Sequence, residues 1–141
     1  LYCWDGGKTW VVDGEPEGLG KQLDKATQEV APILISAMKP GVRISELQAF
    51  GRSIYHKCGV SDSEKAIIFF HGLGLSHMDL ELQDADGKAN IDWVLEEGMV
   101  VPAHLLCPGG ERERLWLEEV VVIEKDGGRP LFTWGFDTLM G

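Results

Sequence analysis

The chain is expected to fold as an α+β domain, a curved and mainly antiparallel sheet with helices packed on one face. Two observations lead there. A strand-like segment is followed by two segments whose apolar residues recur at helical spacing, and then by several strand-like runs. The last of these runs meets Asp126-Gly127-Gly128, a hairpin turn.

The first strand is expected over Lys8 to Asp13, where KTWVVD is rich in β-branched and aromatic residues. Gly14 to Gly18 is a turn, with Pro16 placed to open a helix. Leu23, Ala26, Val30, Leu34, Ala37 and Met38 then follow the 3.6-residue period. Pro32 lies inside that pattern. An interior proline removes one ladder bond and costs about 3 kcal/mol, so a kink or break is expected there. Pro40-Gly41 ends the helix.

Ser45 with Gln48 has the spacing of a capping box. Leu47, Phe50, Ile54 and Cys58 mark the buried face of the second helix, His56 its polar side, and Gly59 its C′ position. Ala66 to Phe70 is a short apolar run that suits a buried strand and leads into His71-Gly72-Leu73-Gly74-Leu75. Gln83 to Asn90 reads as a polar surface loop. Further strands are expected at Met99 to Leu106 and Leu115 to Glu124, and Leu131 to Trp134 is expected to return as the hairpin partner.

Composition limits the class. The 141 residues allow one domain or one lobe of a larger one. With 44% hydrophobic and 26% charged residues, the chain is neither disordered nor fibrous. Its net charge of −10 repels a phosphate backbone, which argues against nucleic acid as a partner. No apolar run approaches the roughly 20 residues of a membrane-spanning helix, so no membrane partner is expected. Three well-separated cysteines, Cys3, Cys58 and Cys107, form no CxxC pair, and a reducing, cytoplasmic setting fits them.

Several residues stand out chemically. His71 ends an apolar strand and precedes alternate glycines, which let a backbone or ligand come close. A core histidine with satisfied hydrogen bonds is the plainer alternative. His104 sits among apolar neighbours, where an imidazole needs a partner on each nitrogen or a metal on one. Glu118 shares a strand face with Trp116, Val120 and Val122, and Glu119 shares the other with Leu117, Val121 and Ile123. Both faces are apolar, so one of these carboxylates is expected to meet something that stabilises its charge. Asp5 alone is a turn residue. Together Asp5, His71, His104 and Glu118 supply two carboxylates and two imidazoles from separate strands, a suitable set for a divalent transition metal.

At these residues the chain resembles the pita-bread family of creatinase, aminopeptidase P, prolidase and methionine aminopeptidase. Five segments carry the resemblance in order: Tyr2 to Trp10 around Asp5, Lys39-Pro40-Gly41-Val42, His71 to Leu75, Glu97-Gly98-Met99-Val100, and Leu117 to Val122 with Asp126-Gly127. In that family two metal ions share two aspartates, one histidine and two glutamates. The resemblance places Asp5 at the second aspartate, His71 at the histidine and Glu118 at the last, bridging glutamate. The first aspartate belongs roughly ten residues before Asp5. Residues 1–141 are therefore expected to be the C-terminal portion of a pita-bread catalytic domain whose N-terminal part is absent.

His104 occupies the place of the family's first glutamate. Nitrogen there moves preference from magnesium and manganese toward zinc, iron or copper. The cofactor implied is one or two divalent transition ions, with zinc, iron and manganese as the candidates. His77 follows the His71 motif one residue early for the family's substrate histidine and lacks its Glu-x-Pro tail. The resemblance implies a metal-dependent hydrolase of the Xaa-Pro peptidase type, in which metal-activated water attacks a peptide carbonyl. Glu118 would take the proton and His77 would stabilise developing charge, with a short peptide or other small molecule as substrate. Tyr2 to Asp5, the shortened loop after Leu75 and the ending Trp134 to Gly141 resemble the dimethylsulfoniopropionate lyase branch, which implies β-elimination as the alternative. A non-catalytic homologue that lost ligands is the third reading. The resemblance also implies a homodimer for the full-length form.

Overall fold

The computed structural model describes residues 3–75, 92–108 and 114–140. Two short strands, β1 (Gly7–Lys8) and β2 (Trp10–Val11), precede helices α1 (Gly18–Ala37) and α2 (Ile44–Lys57). Strands β3 (Ile67–Phe70), β4 (Val100–Pro108), β5 (Arg114–Glu124), β6 (Gly127–Pro130) and β7 (Leu139–Met140) follow. The main sheet has the order β1-β5-β4-β3, with β6 beside β5, and every pairing in it is antiparallel. The expected α+β class and its antiparallel sheet are what the chain adopts.

Alternation divides the sheet into two faces. Ile68, Phe70, Val101, Ala103, Leu105, Leu117, Val121 and Ile123 are buried in one core with Leu23, Val30, Leu34, Ile44, Leu47 and Ile54 from the two helices. The even-numbered residues of β4 and β5 lie on the other face, where Pro102 pairs with Val120, His104 with Glu118 and Leu106 with Trp116. The helices meet at a buried Thr27–Tyr55 hydrogen bond of 3.0 Å, and burial raises the Tyr55 phenol well above its ordinary pKa. No helix among the described residues is long and apolar enough to cross a membrane.

Several local expectations give way to tertiary contacts. The segment from Lys8 to Asp13 is not one strand. It divides at Thr9, because β1 pairs with β5 while β2 pairs in parallel with β7. The α1 helix starts at Gly18, past Pro16, and runs unbroken through Pro32. Pro32 and Gln28, whose carbonyl would otherwise accept the missing ladder bond, are both exposed residues. Ser45 does not cap α2. The helix begins one residue earlier, the Arg43 N–H donates to Glu46 Oε2 at 3.0 Å, and the Ser45 N–H donates to Asp92 Oδ1 at 2.8 Å. Phe50 is exposed, and Gly51 takes its place against Ile68 of β3.

The hairpin partner of β5 is Gly127–Pro130 and not Leu131 to Trp134. A two-residue turn at Lys125 and Asp126 sets Gly127 opposite Glu124, so the pairing begins early and ends at a proline with no N–H to donate. Residues 131–138 instead run as a strap back to the N-terminal segment. Lys8 Nζ donates to Trp134 O and Asp137 Oδ1, each at 3.1 Å, and Thr138 donates through N and Oγ1 to Asp24 Oδ1 at 2.7 and 2.6 Å. Lys8 holds the Asp137 carboxyl below its usual range. The expected loop from Gln83 to Asn90 lies outside the described residues.

The close approach of β6 to α1 requires glycine. A Cβ on Gly128 would lie 2.6 Å from Ile35 O and 2.5 Å from a Val121 methyl. Gly128→Ala is expected to destabilise the fold by about 1–3 kcal/mol through overpacking, read as a lower midpoint in urea unfolding.

Candidate metal centre

One row of the sheet builds most of the site. Gly7 pairs with Glu118, Glu118 with His104, and His104 with Phe69. Side chains directly opposite on neighbouring antiparallel strands point the same way, so Glu118 and His104 emerge side by side. Asp5 enters from the turn before β1, and His71 from the residue that follows β3. His71, His104 and Glu118 are buried, and Asp5 is half-buried.

The four side chains converge. Each offers one ligand atom, and all four atoms lie within 4.8 Å of one another. His71 Nε2 is 2.9 Å from His104 Nε2 and 3.3 Å from Asp5 Oδ2, and His104 Nε2 is 3.6 Å from Glu118 Oε1. His71 Nδ1 is 2.8 Å from Gly72 O. A carbonyl only accepts, so Nδ1 carries the proton and Nε2 turns its lone pair into the cluster. Ligands at about 2.0–2.2 Å from a tetrahedral ion stand about 3.3–3.6 Å apart. The observed separations bracket that range, and the N₂O₂ donor set suits a borderline transition metal.

Electrostatics point the same way. Glu118 is raised to about 8, first by burial and then by its hydrogen bond to Asp5 and the charge of Asp5. The Trp116 indole N–H opposes that shift. Glu119, next in sequence, faces the opposite way. Burial raises it too, but the Phe132 N–H at 3.0 Å and bonds from Trp134, Leu131 and Val120 favour its charged form. Glu118 therefore belongs to the cluster, and Glu119 holds the strap. That settles which of the adjacent carboxylates has which surroundings.

Aromatic rings surround the cluster. Phe69 stacks on His104 with centroids 3.9 Å apart and planes 10° from parallel, and Trp116 meets the same imidazole edge-on at 5.6 Å. Trp4, beside Asp5, packs edge-on against Phe132 at 4.8 Å. Sequence reasoning placed Trp116 on the Glu118 face but missed Phe69, whose position opposite His104 follows only from strand register. His56 is exposed on α2, as its helical position implies. His77 lies outside the described residues.

With that geometry in place, comparison with known proteins is decisive. Residues 1–125 match the model of metallopeptidase family M24. The chain belongs to that family. It is 31% identical over 132 residues to the Xaa-Pro dipeptidase of Lactobacillus delbrueckii subsp. lactis, covering 92% of this chain and 33% of the relative. Among solved structures, the X-Pro aminopeptidase of Thermotoga maritima superposes with a TM-score of 0.81 at 22% identity, covering 99% of this chain and 38% of that one. Dipeptidase PepE of Mycobacterium ulcerans gives 0.78 at 21%, covering 99% and 36%. The chain thus spans about a third of the length of the relatives it matches, and it shares their pita-bread fold.

The raised Glu118 pKa has a consequence for the metal-free M24 chain. Between the ordinary 4.5 and about 8 the unfolded chain has released this proton while the folded chain retains it. The folded state binds more protons there, so stability falls as pH rises through that window. Glu118→Gln is expected to flatten this fall, raising the metal-free melting temperature at pH 8 more than at pH 4.5. Thermal melts across pH after chelation check it.

Proposed function

We propose that this chain carries the metal-binding part of a hydrolase acting on short peptides of the Xaa-Pro type. One observation bears the proposal: Asp5, His71, His104 and Glu118 converge from four separate places in the sequence. The family supports a metallopeptidase reading, and the printed activity of the Lactobacillus relative supports the Xaa-Pro substrate class. Residues 1–141 are read as the C-terminal portion of a longer catalytic domain.

The four residues would hold a divalent ion, whose chemistry when bound is to polarise a carbonyl and acidify water. Asp5 and Glu118 contribute two negative charges that offset those of one such ion. The two imidazoles would bind it without adding charge, and such a donor set favours zinc or iron over manganese. Burial keeps competing water away and strengthens each of these interactions. In hydrolysis, water adds to the scissile carbonyl carbon, and its proton passes through a carboxylate to the leaving nitrogen. Glu118 is assigned that transfer, and His77 is assigned the stabilisation of developing negative charge on the carbonyl oxygen.

The test uses full-length protein stripped with chelator and reloaded with zinc, iron or manganese. Cleavage of an Xaa-Pro dipeptide that vanishes on chelation and returns with metal is expected. His71→Ala and His104→Ala should each weaken metal binding by more than about 100-fold, beyond the loss typical of an outer partner. Acrylate release from a sulfonium propionate, without peptide cleavage, would assign the site to elimination instead. Metal binding unchanged in both variants would overturn the ligand assignment.

A further inference from the structure

We propose that Trp116 is a positioning residue of the metal centre, holding Glu118 through its indole N–H and His104 through its ring edge, while Phe69 fixes the plane of the same imidazole from β3. This rests on the reading of Glu118 and His104 as ligands. It goes beyond that reading by assigning the residues that aim them.

Three observations carry the inference. The first is where the polar atoms gather. A Cβ built on Gly7 would lie 3.3 Å from Trp116 Nε1 and 3.4 Å from Glu118 Oε2, so indole nitrogen and carboxylate oxygen crowd the same small space above a residue with no side chain. The indole nitrogen only donates and an ionised carboxylate only accepts. The second is the arrangement around His104. Its ring lies almost parallel to Phe69 and almost perpendicular to Trp116, at 10° and 88°. Contact with a flat face and with an edge at right angles to it leaves the imidazole little freedom about χ2.

The third is that Trp116 is itself anchored. Its backbone N–H donates to Thr9 Oγ1 at 2.7 Å, and its carbonyl accepts from Thr9 N at 2.9 Å and Thr9 Oγ1 at 3.1 Å. Those bonds tie it to the segment that bears Asp5 and Gly7. Trp116 is nevertheless 38% exposed. A tryptophan kept for core packing alone would be buried, whereas one aimed at a ligand needs only its N–H and one edge inside. A metal site depends on such outer partners for ligand orientation as well as on the ligands themselves.

The experiment titrates full-length, metal-stripped protein with Co²⁺, reading both affinity and the visible absorption bands of the bound ion. Trp116→Phe keeps ring bulk and removes the N–H. It is expected to weaken Co²⁺ binding about tenfold while leaving the metal-free melting temperature near that of the parent. Phe69→Leu keeps apolar bulk and removes the flat face, and it should shift the cobalt bands as the imidazole reorients. Trp10→Phe, at an exposed residue of β2 that pairs with β7 and not with the row, should bind as the parent does. Parent-like affinity and spectrum in both Trp116→Phe and Phe69→Leu would overturn the proposal. If His104→Ala and Glu118→Gln bind Co²⁺ like the parent, the ligand reading fails. If those two lose binding while Trp116→Phe and Phe69→Leu retain it, the positioning role alone fails.

Discussion

The antiparallel register of β1, β5, β4 and β3 is the constraint on which the rest of the molecule depends. It places Gly7, Glu118, His104 and Phe69 in one row across four strands. A one-residue slip of β4 or β5 would turn His104 or Glu118 toward the helices and one of its helix-side neighbours toward the cluster. The register is held by the helix-side face, where a slip would expose a full set of apolar side chains. Hydrophobic burial on one side of the sheet thus fixes polar geometry on the other.

That division of labour is clearest at Glu118 and Glu119. They are neighbours in sequence and both buried, yet alternation along β5 sends them to different tasks. Glu118 joins Asp5 and two imidazoles in the cluster. Glu119 accepts the Phe132 N–H and anchors the strap that follows β6. The strap in turn places Phe132 against Gly6 and Trp4, the two residues that flank Asp5. One carboxylate sits in the site, and the other supports the chain segment that shapes its wall.

The cluster is costly to the metal-free fold. Two carboxylates close together in a dry environment repel, and the protein tolerates them by keeping a proton on Glu118. A cation bound by these four residues would remove that penalty and would couple occupancy to stability. The His104 imidazole, where the family resemblance places a glutamate, lowers the negative charge that any ion must balance.

Much was legible in the sequence. Helical spacing, the glycine at position 59 and the β-branched run of β5 all act locally, so periodicity and composition are enough to read them; the order of the five motifs was legible only as a resemblance to the family. His71, His104 and Glu118 were also legible, because charged and imidazole side chains in or at the end of apolar strands are conspicuous, whereas Asp5 by itself reads as a turn residue and gains meaning only beside those three. Whatever depends on a partner distant in sequence was decided by tertiary structure alone. Asp92 accepts the Ser45 N–H, so that Ser45 does not cap α2, and β5 and β7 divide the first strand at Thr9. Phe69 owes its place over His104 to a pairing that no local pattern encodes, since a side chain's neighbour across a sheet is fixed by register and register by the packing of the whole face.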